Sequence, residues 1–163
     1  MRDWIAFWNS KHSIYVNARH RDVHYRRIAE DVIPYIPPSA TVIDFGCGEA
    51  LHADLMASVA GRLILIDAAE SVRNHLVDRF KDNPKIEVQS PDALSKFDDR
   101  SIDLIVMHSV AQYLTPAQLG ALLIVFRRVL RPDGKLLLGD IIPPDVSAIS
   151  DVWALLNFAA RNG

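Results

Sequence analysis

A doubly wound α/β fold with a mostly parallel sheet is the architecture this sequence predicts, on three observations. From residue 40 onward, short apolar runs alternate with amphipathic segments. The runs are continuous rather than alternating, which is what strands covered on both faces require. The first run closes on an acid and a Gly-x-Gly turn, the point where an open α/β sheet bends toward its helix and its ligand. A chain of 163 residues, 50% hydrophobic and 23% charged, has room for one domain with a sizeable core.

Residues 1–39 come first and differ in kind. Their aromatic cluster "DWIAFW" precedes "NARHRDVHYRRIAEDVIPYI", which reads as a helix, and Pro34, Pro37 and Pro38 separate that helix from the first strand. We read 1–39 as a helical cap and 40–163 as an α/β core, with the cap over the carboxyl ends of the strands. The core holds five strands: "TVIDF", "LILID", "KIEVQ", "DLIVMH" and "KLLLGDII". Between the second and third, Val72, Leu76 and Phe80 make an apolar stripe closed by Asp82-Asn83-Pro84. Before the fifth, Thr115-Pro116-Ala117-Gln118 offers an N-cap, a proline at the first helical position and a capping-box glutamine. Leu119, Leu122, Leu123, Phe126 and Leu130 then line one face, and Arg131-Pro132-Asp133-Gly134 ends the helix in a turn.

The turn in "TVIDFGCGEAL" lacks side chains at Gly46 and Gly48, so a ligand can come close to its backbone. The third glycine of the dinucleotide fingerprint is replaced by Leu51, and the Lys and Ser/Thr of a phosphate loop are missing. The turn is therefore suited to something nucleoside-like without a phosphate grip.

Four stretches in order resemble the class I S-adenosylmethionine-dependent methyltransferases, covering most of the chain from Val42 to Pro144: "VIDFGCGEA", the acid Asp67 after the second strand, "SPDALSKFDDRSIDLIVMHSVAQYL" and "FRRVLRPDGKLLLGD". The resemblance implies a Rossmann-like core, S-adenosylmethionine as cofactor, and a cofactor site built from Asp44, Gly46, Cys47, Gly48, Asp67, Ala68, Asp92, Ala93 and His108. Gly46 and Gly48 would admit the methionine moiety and ribose, while Asp44 would put a carboxylate near an ammonium and a sulfonium. Asp44 can alternatively fix the turn by bonding its N–H groups. Asp67, 19 residues past Gly48, would accept from ribose hydroxyls, or else cap the helix starting near Ala69. Asp92 would accept from the adenine amino group, with a helix cap as the alternative, and Pro91 before it removes a backbone donor. His108 would serve through its backbone carbonyl, leaving its side chain without a necessary role.

Gln112 and Tyr113 stand where many members carry a pair of histidines, so no general base is evident in that loop. Histidines gather instead at His12, His20 and His24, with Tyr15 and Tyr25 beside them. Catalytic candidates are His24 and Tyr113; substrate-binding candidates are Tyr15, His20, His24, Gln112 and Tyr113. His20 and His24 share a helical face, but two ligands make no metal site, and none is expected. Arg19, Arg21, Arg26 and Arg27 are interleaved with Asp22, Glu30 and Asp31, as on a solvated face, a bound acidic substrate being the sharper reading. Cys47 reads as a small residue under a close ligand rather than a nucleophile.

A net charge of −2 gives no general pull toward nucleic acid or anionic membrane. No apolar run approaches the roughly 18 residues of a membrane span, and the lone cysteine excludes an intrachain disulfide. A cytoplasmic methyltransferase with a small-molecule acceptor is the expectation. A NAD-dependent oxidoreductase or epimerase and a non-catalytic partner protein of the same fold are the alternatives. The resemblance also implies two further strands, six and seven, which "PPDVSAISDVWALLNFAARNG" does not supply; a fragment of a longer product, or a homo-oligomer through the strand-five edge, is expected in consequence.

Overall fold

The computed structural model describes residues 17–141 and residue 153. Its five strands are β1 Thr41–Phe45, β2 Arg62–Ile66, β3 Ile86–Gln89, β4 Ile102–His108 and β5 Leu130–Gly139. They form one sheet in the order β3-β2-β1-β4-β5, with every pairing parallel. The chain winds outward from β1 in one direction and returns to the other side at β4, so the switch point lies between the carboxyl ends of β1 and β4.

Among the described residues, four α-helices cover the sheet: α1 Ala18–Val32, α2 Ala53–Val59, α3 Glu70–Phe80 and α4 Pro116–Val129. Alternate strand residues go to opposite faces. Val42, Leu63, Leu65, Leu104 and Val106 pack with Ala29, Val32, Met56 and Leu76 from α1, α2 and α3. Ile43, Phe45, Ile64, Ile66, Ile105 and Met107 pack with Phe126 and Val129 of α4. Both faces are thus dry, which is why the strands read as unbroken apolar runs.

Local signals set the helix ends. The Asn17 side chain accepts from His20 N–H at 2.8 Å, and Pro34 sits in the 3-10 turn Ile33–Tyr35 that ends α1. The capping box is complete: Thr115 Oγ1 accepts from Gln118 N–H at 3.2 Å, and Gln118 Oε1 from Thr115 N–H at 2.9 Å. α2 carries no such signal, its N-cap His52 making no side-chain cap bond.

The fifth strand departs from its sequence reading at both ends. Leu130 already pairs with Ile102, and a register irregularity accommodates Arg131-Pro132-Asp133-Gly134 before Lys135 pairs with Leu104. At the other end pairing stops at Gly139, because Asp140 turns into the left-handed region at φ 49°. The sheet has five strands among the described residues, with β3 and β5 at its edges.

Candidate functional site

The end of β1 enters a turn with Gly46 at φ 74° and Gly48 at φ 55°, conformations L side chains rarely adopt. Gly46 and Cys47 N–H both donate to the Ile66 carbonyl, at 2.7 and 3.2 Å. Gly48 N–H donates to Asp67 Oδ2 at 3.0 Å, and Glu49 N–H to the Tyr25 hydroxyl at 3.0 Å. The turn is therefore hung on the end of β2 and latched by α1. Two further contacts secure that latch: Arg21 pairs with Glu49 at 3.2 Å, and His52 meets Asp22 at 2.8 Å.

The glycines make room first for the protein itself. A Cβ at Gly46 would lie 2.3 Å from Val110 Cγ2, and one at Gly48 would lie 2.7 Å from the Tyr25 hydroxyl. Tyr25 and Val110 close over the turn, and both line the adjoining cavity.

Asp44 and Asp67 are the two buried acids of the described residues. With the four N–H groups of residues 46–49 committed elsewhere, Asp44 is not what fixes the turn. Burial, and then the Asp67 charge beside it, push its carboxyl up to about 7. Asp67 takes the stapling role instead: Oδ1 accepts from Ala69 N–H at 2.8 Å while Oδ2 accepts from Gly48 N–H. Burial raises the Asp67 carboxyl as well, opposed by those N–H donors and by Arg73. Ala68 N–H adds a third backbone donor, and of the four lone pairs on the two oxygens one is left for a further donor.

A cavity of about 520 Å³ opens beside this turn at the switch point. Of the sequence-predicted cofactor residues, Asp44, Gly46, Cys47, Gly48, Asp67, Ala68 and His108 line it. Asp92 is exposed on the 3-10 turn Pro91–Lys96, and neither it nor the buried Ala93 reaches the cavity wall; Pro91 does. Of the substrate candidates, His24, Gln112 and Tyr113 line it, His20 is exposed at the start of α1, and Tyr15 lies outside the described residues. Gln112 Oε1 is buried and meets no hydrogen-bond partner among the described residues, so it stands ready for a ligand's donor. Burial and then the neighbouring carboxyls push the Cys47 thiol well up, which disfavours the thiolate there. No cluster of three metal-ligating side chains occurs among the described residues.

Several lining residues carry no signal in the linear sequence. Ser109 and Asp140 join the site only through the fold, and the sequence offers Tyr25 only as a neighbour of the histidines. Ser109 hydrogen-bonds both His108 Nδ1, at 2.9 Å, and Asp140 Oδ2. The His24 and His108 rings meet edge to face with centroids 6.3 Å apart. Burial lowers the pKa of both imidazoles.

A family model described as "Methyltransferase domain" matches residues 43–138. The chain belongs to that family. A probable S-adenosylmethionine-dependent methyltransferase of Mycobacterium tuberculosis is 33% identical over 100 residues, 59% of this chain and 32% of that protein. Another, from Mycolicibacterium smegmatis, is 32% identical over 121 residues, 73% of this chain and 43% of that protein. The chain thus spans less than half the length of these curated relatives. Among solved structures, a phosphoethanolamine N-methyltransferase of Haemonchus contortus superposes with a TM-score of 0.68 at 23% identity, over 83% of this chain and 30% of that one. A methyltransferase from Archaeoglobus fulgidus gives 0.64 at 22% identity, over 86% and 59%. These likenesses concern the fold. The cofactor that the curated relatives support is S-adenosylmethionine, and the site's chemistry fits it: buried carboxyls for a cationic ligand, a spare lone pair on Asp67 for a hydroxyl, and an unpartnered acceptor on Gln112.

Among the described residues, no helix is long and apolar enough to cross a membrane.

Proposed function

We propose that this chain binds S-adenosylmethionine in the cavity at the β1–β4 switch point and serves methyl transfer to a small-molecule acceptor. One observation carries the reading. The N–H groups of residues 46–49 are all taken by Ile66, Asp67 and Tyr25, whereas the buried acids Asp44 and Asp67 are among the residues lining the cavity. A pyrophosphate would find no free backbone donors in that turn and two acids beside it. A ligand with ammonium, sulfonium and ribose hydroxyls finds what it needs.

When bound, the cofactor supplies the electrophilic methyl group and its own leaving group. Asp67 would accept from a ribose hydroxyl through its spare lone pair, and Asp44 would balance the cationic part. His24, Tyr25 and Tyr113 would bound the acceptor side, with α1 excluding water over the turn. Alignment of the acceptor is the protein's main contribution, a proximity term of up to about 7–11 kcal/mol in favourable systems. A cavity of about 520 Å³ and a net charge of −2 favour a small acceptor over a nucleic acid.

Calorimetric titration of one preparation with S-adenosylmethionine, S-adenosylhomocysteine and NAD tests this. The first two bind and NAD does not; NAD binding with neither of the others would transfer the reading to the oxidoreductase alternative.

A further inference from the structure

The loop after β4 lacks the paired histidines that would supply a base, yet the fold assembles one from β4, the residue after it, and the end of β5. Ser109 has a single hydroxyl proton, which it donates to Asp140 Oδ2. Its contact with His108 Nδ1, at 2.9 Å, must therefore run the other way, with Nδ1–H donating to Oγ. That fixes the neutral imidazole as the Nδ1–H tautomer and leaves the lone pair on Nε2. His108 is among the residues that line the cavity.

The backbone is bent to make this chain of bonds. Ser109 and Asp140 both hold positive φ, 57° and 49°, which is uncommon outside glycine and carries strain. Ser109 N–H donates to the Gly139 carbonyl at 3.0 Å, tying the two strand ends together. Gly139 itself is needed for the imidazole: a Cβ there would stand 2.3 Å from His108 Cδ2. Two left-handed non-glycine residues, in register on adjacent strand ends and bonded side chain to side chain, are spent on orienting one histidine at the cavity wall.

Resting on the methyltransferase reading, we propose that His108 takes the proton of the methyl acceptor, with Ser109 and Asp140 as positioning residues, and that the acceptor is a hydroxyl compound. A hydroxyl oxygen is a weak nucleophile until its proton is withdrawn, whereas a free amine already presents its lone pair. The O–H bond breaks, its electron pair remains on oxygen for the new bond to carbon, and the proton goes to Nε2. The imidazolium then returns the proton to solvent. The electrophile and its leaving pair are those of the cofactor. Around His108 stand His24 and Asp31 of α1 and Asp140 after β5; burial lowers its pKa and outweighs the two carboxylates, which raise it, so the net shift favours the neutral imidazole.

The test uses the whole chain labelled with 15N at histidine, without any ligand. His108 shows the Nδ1–H tautomer in its ring nitrogen shifts, and Ser109→Gly, which removes the hydroxyl while relieving the left-handed backbone, shifts it toward Nε2–H. Asp140→Asn lowers its titration midpoint. An Nε2–H tautomer in the native chain, or one indifferent to Ser109→Gly, overturns the proposal. A second arm adds 4-nitrophenol to protein saturated with S-adenosylhomocysteine: the native chain increases the phenolate absorbance and His108→Asn does not. No increase with the native chain overturns the hydroxyl assignment. Failure of the methyltransferase reading appears separately, as absence of S-adenosylmethionine binding with the tautomer result intact.

Discussion

Asp44 should make the stability of this protein fall as pH rises toward neutrality. Its carboxyl moves from an ordinary 3.8 to about 7 on folding, so the folded state holds a proton that the unfolded chain releases near pH 4. Stability from this group is fully present below pH 4 and is lost as pH climbs toward 7. At 1.36 kcal/mol per decade the whole effect is about 4 kcal/mol, of which about 3 kcal/mol falls between pH 5 and 8. Asp44→Asn keeps the shape without the ionisation. Urea denaturation of both proteins at pH 5 and pH 8 should show the wild type losing about 3 kcal/mol relative to the variant. Parallel behaviour of the two would refute the assignment of a buried, protonated Asp44. The same proton bears on function, because a cationic ligand favours the carboxylate. Binding of S-adenosylmethionine at pH 6.5 should then release protons, read as a dependence of the calorimetric heat on buffer ionisation enthalpy, and Asp44→Asn should abolish the release.

The same geometry sets the outcome of four other experiments. Gly48→Val places a β-branched residue at φ 55° with its Cβ 2.7 Å from the Tyr25 hydroxyl; cofactor titration should show binding abolished, at a stability cost of about 1–3 kcal/mol. Asp67→Ala should lower cofactor affinity by about 1.5–3 kcal/mol for each charged hydrogen bond lost, and it should destabilise the ligand-free protein too, because Gly48 and Ala69 lose their acceptor. Asp92→Ala, by contrast, should leave affinity close to wild type in the same titration, its exposed side chain standing off the cavity. If β5 pairs with another copy through its outer edge, light scattering after size exclusion should show a dimer that Leu138→Lys dissociates; a stable wild-type monomer would remove that idea.

The sheet is legible in the sequence because its physics is local. Strands buried on both faces must read as unbroken apolar runs, and "TVIDF" matches β1 residue for residue. The capping box at Thr115 and Gln118 needs only four neighbouring residues, and it too is present as read. Contacts set by register are what the linear chain does not disclose. The pairing of His108 with Gly139 puts Ser109 beside Asp140, 31 residues away, and nothing in "MHSV" or "LLGD" foretells it. The bond between Tyr25 and Glu49 likewise depends on how α1 lies across the turn. Asp44 is open to two readings in the sequence because a strand-end acid serves both; the N–H partners of residues 46–49 separate them. The short α2 is silent in the sequence because seven residues without a cap carry too little periodicity.

Whether S-adenosylmethionine occupies the cavity at the β1–β4 switch point is tested most directly by backbone amide chemical-shift mapping during titration with that cofactor. The largest changes are expected at Gly46, Cys47, Gly48, Ala68 and Ala69. Changes confined to the arginine-rimmed hollow of Arg100, Arg127 and Arg131 at the opposite end of α4, with those five amides unmoved, would contradict that placement.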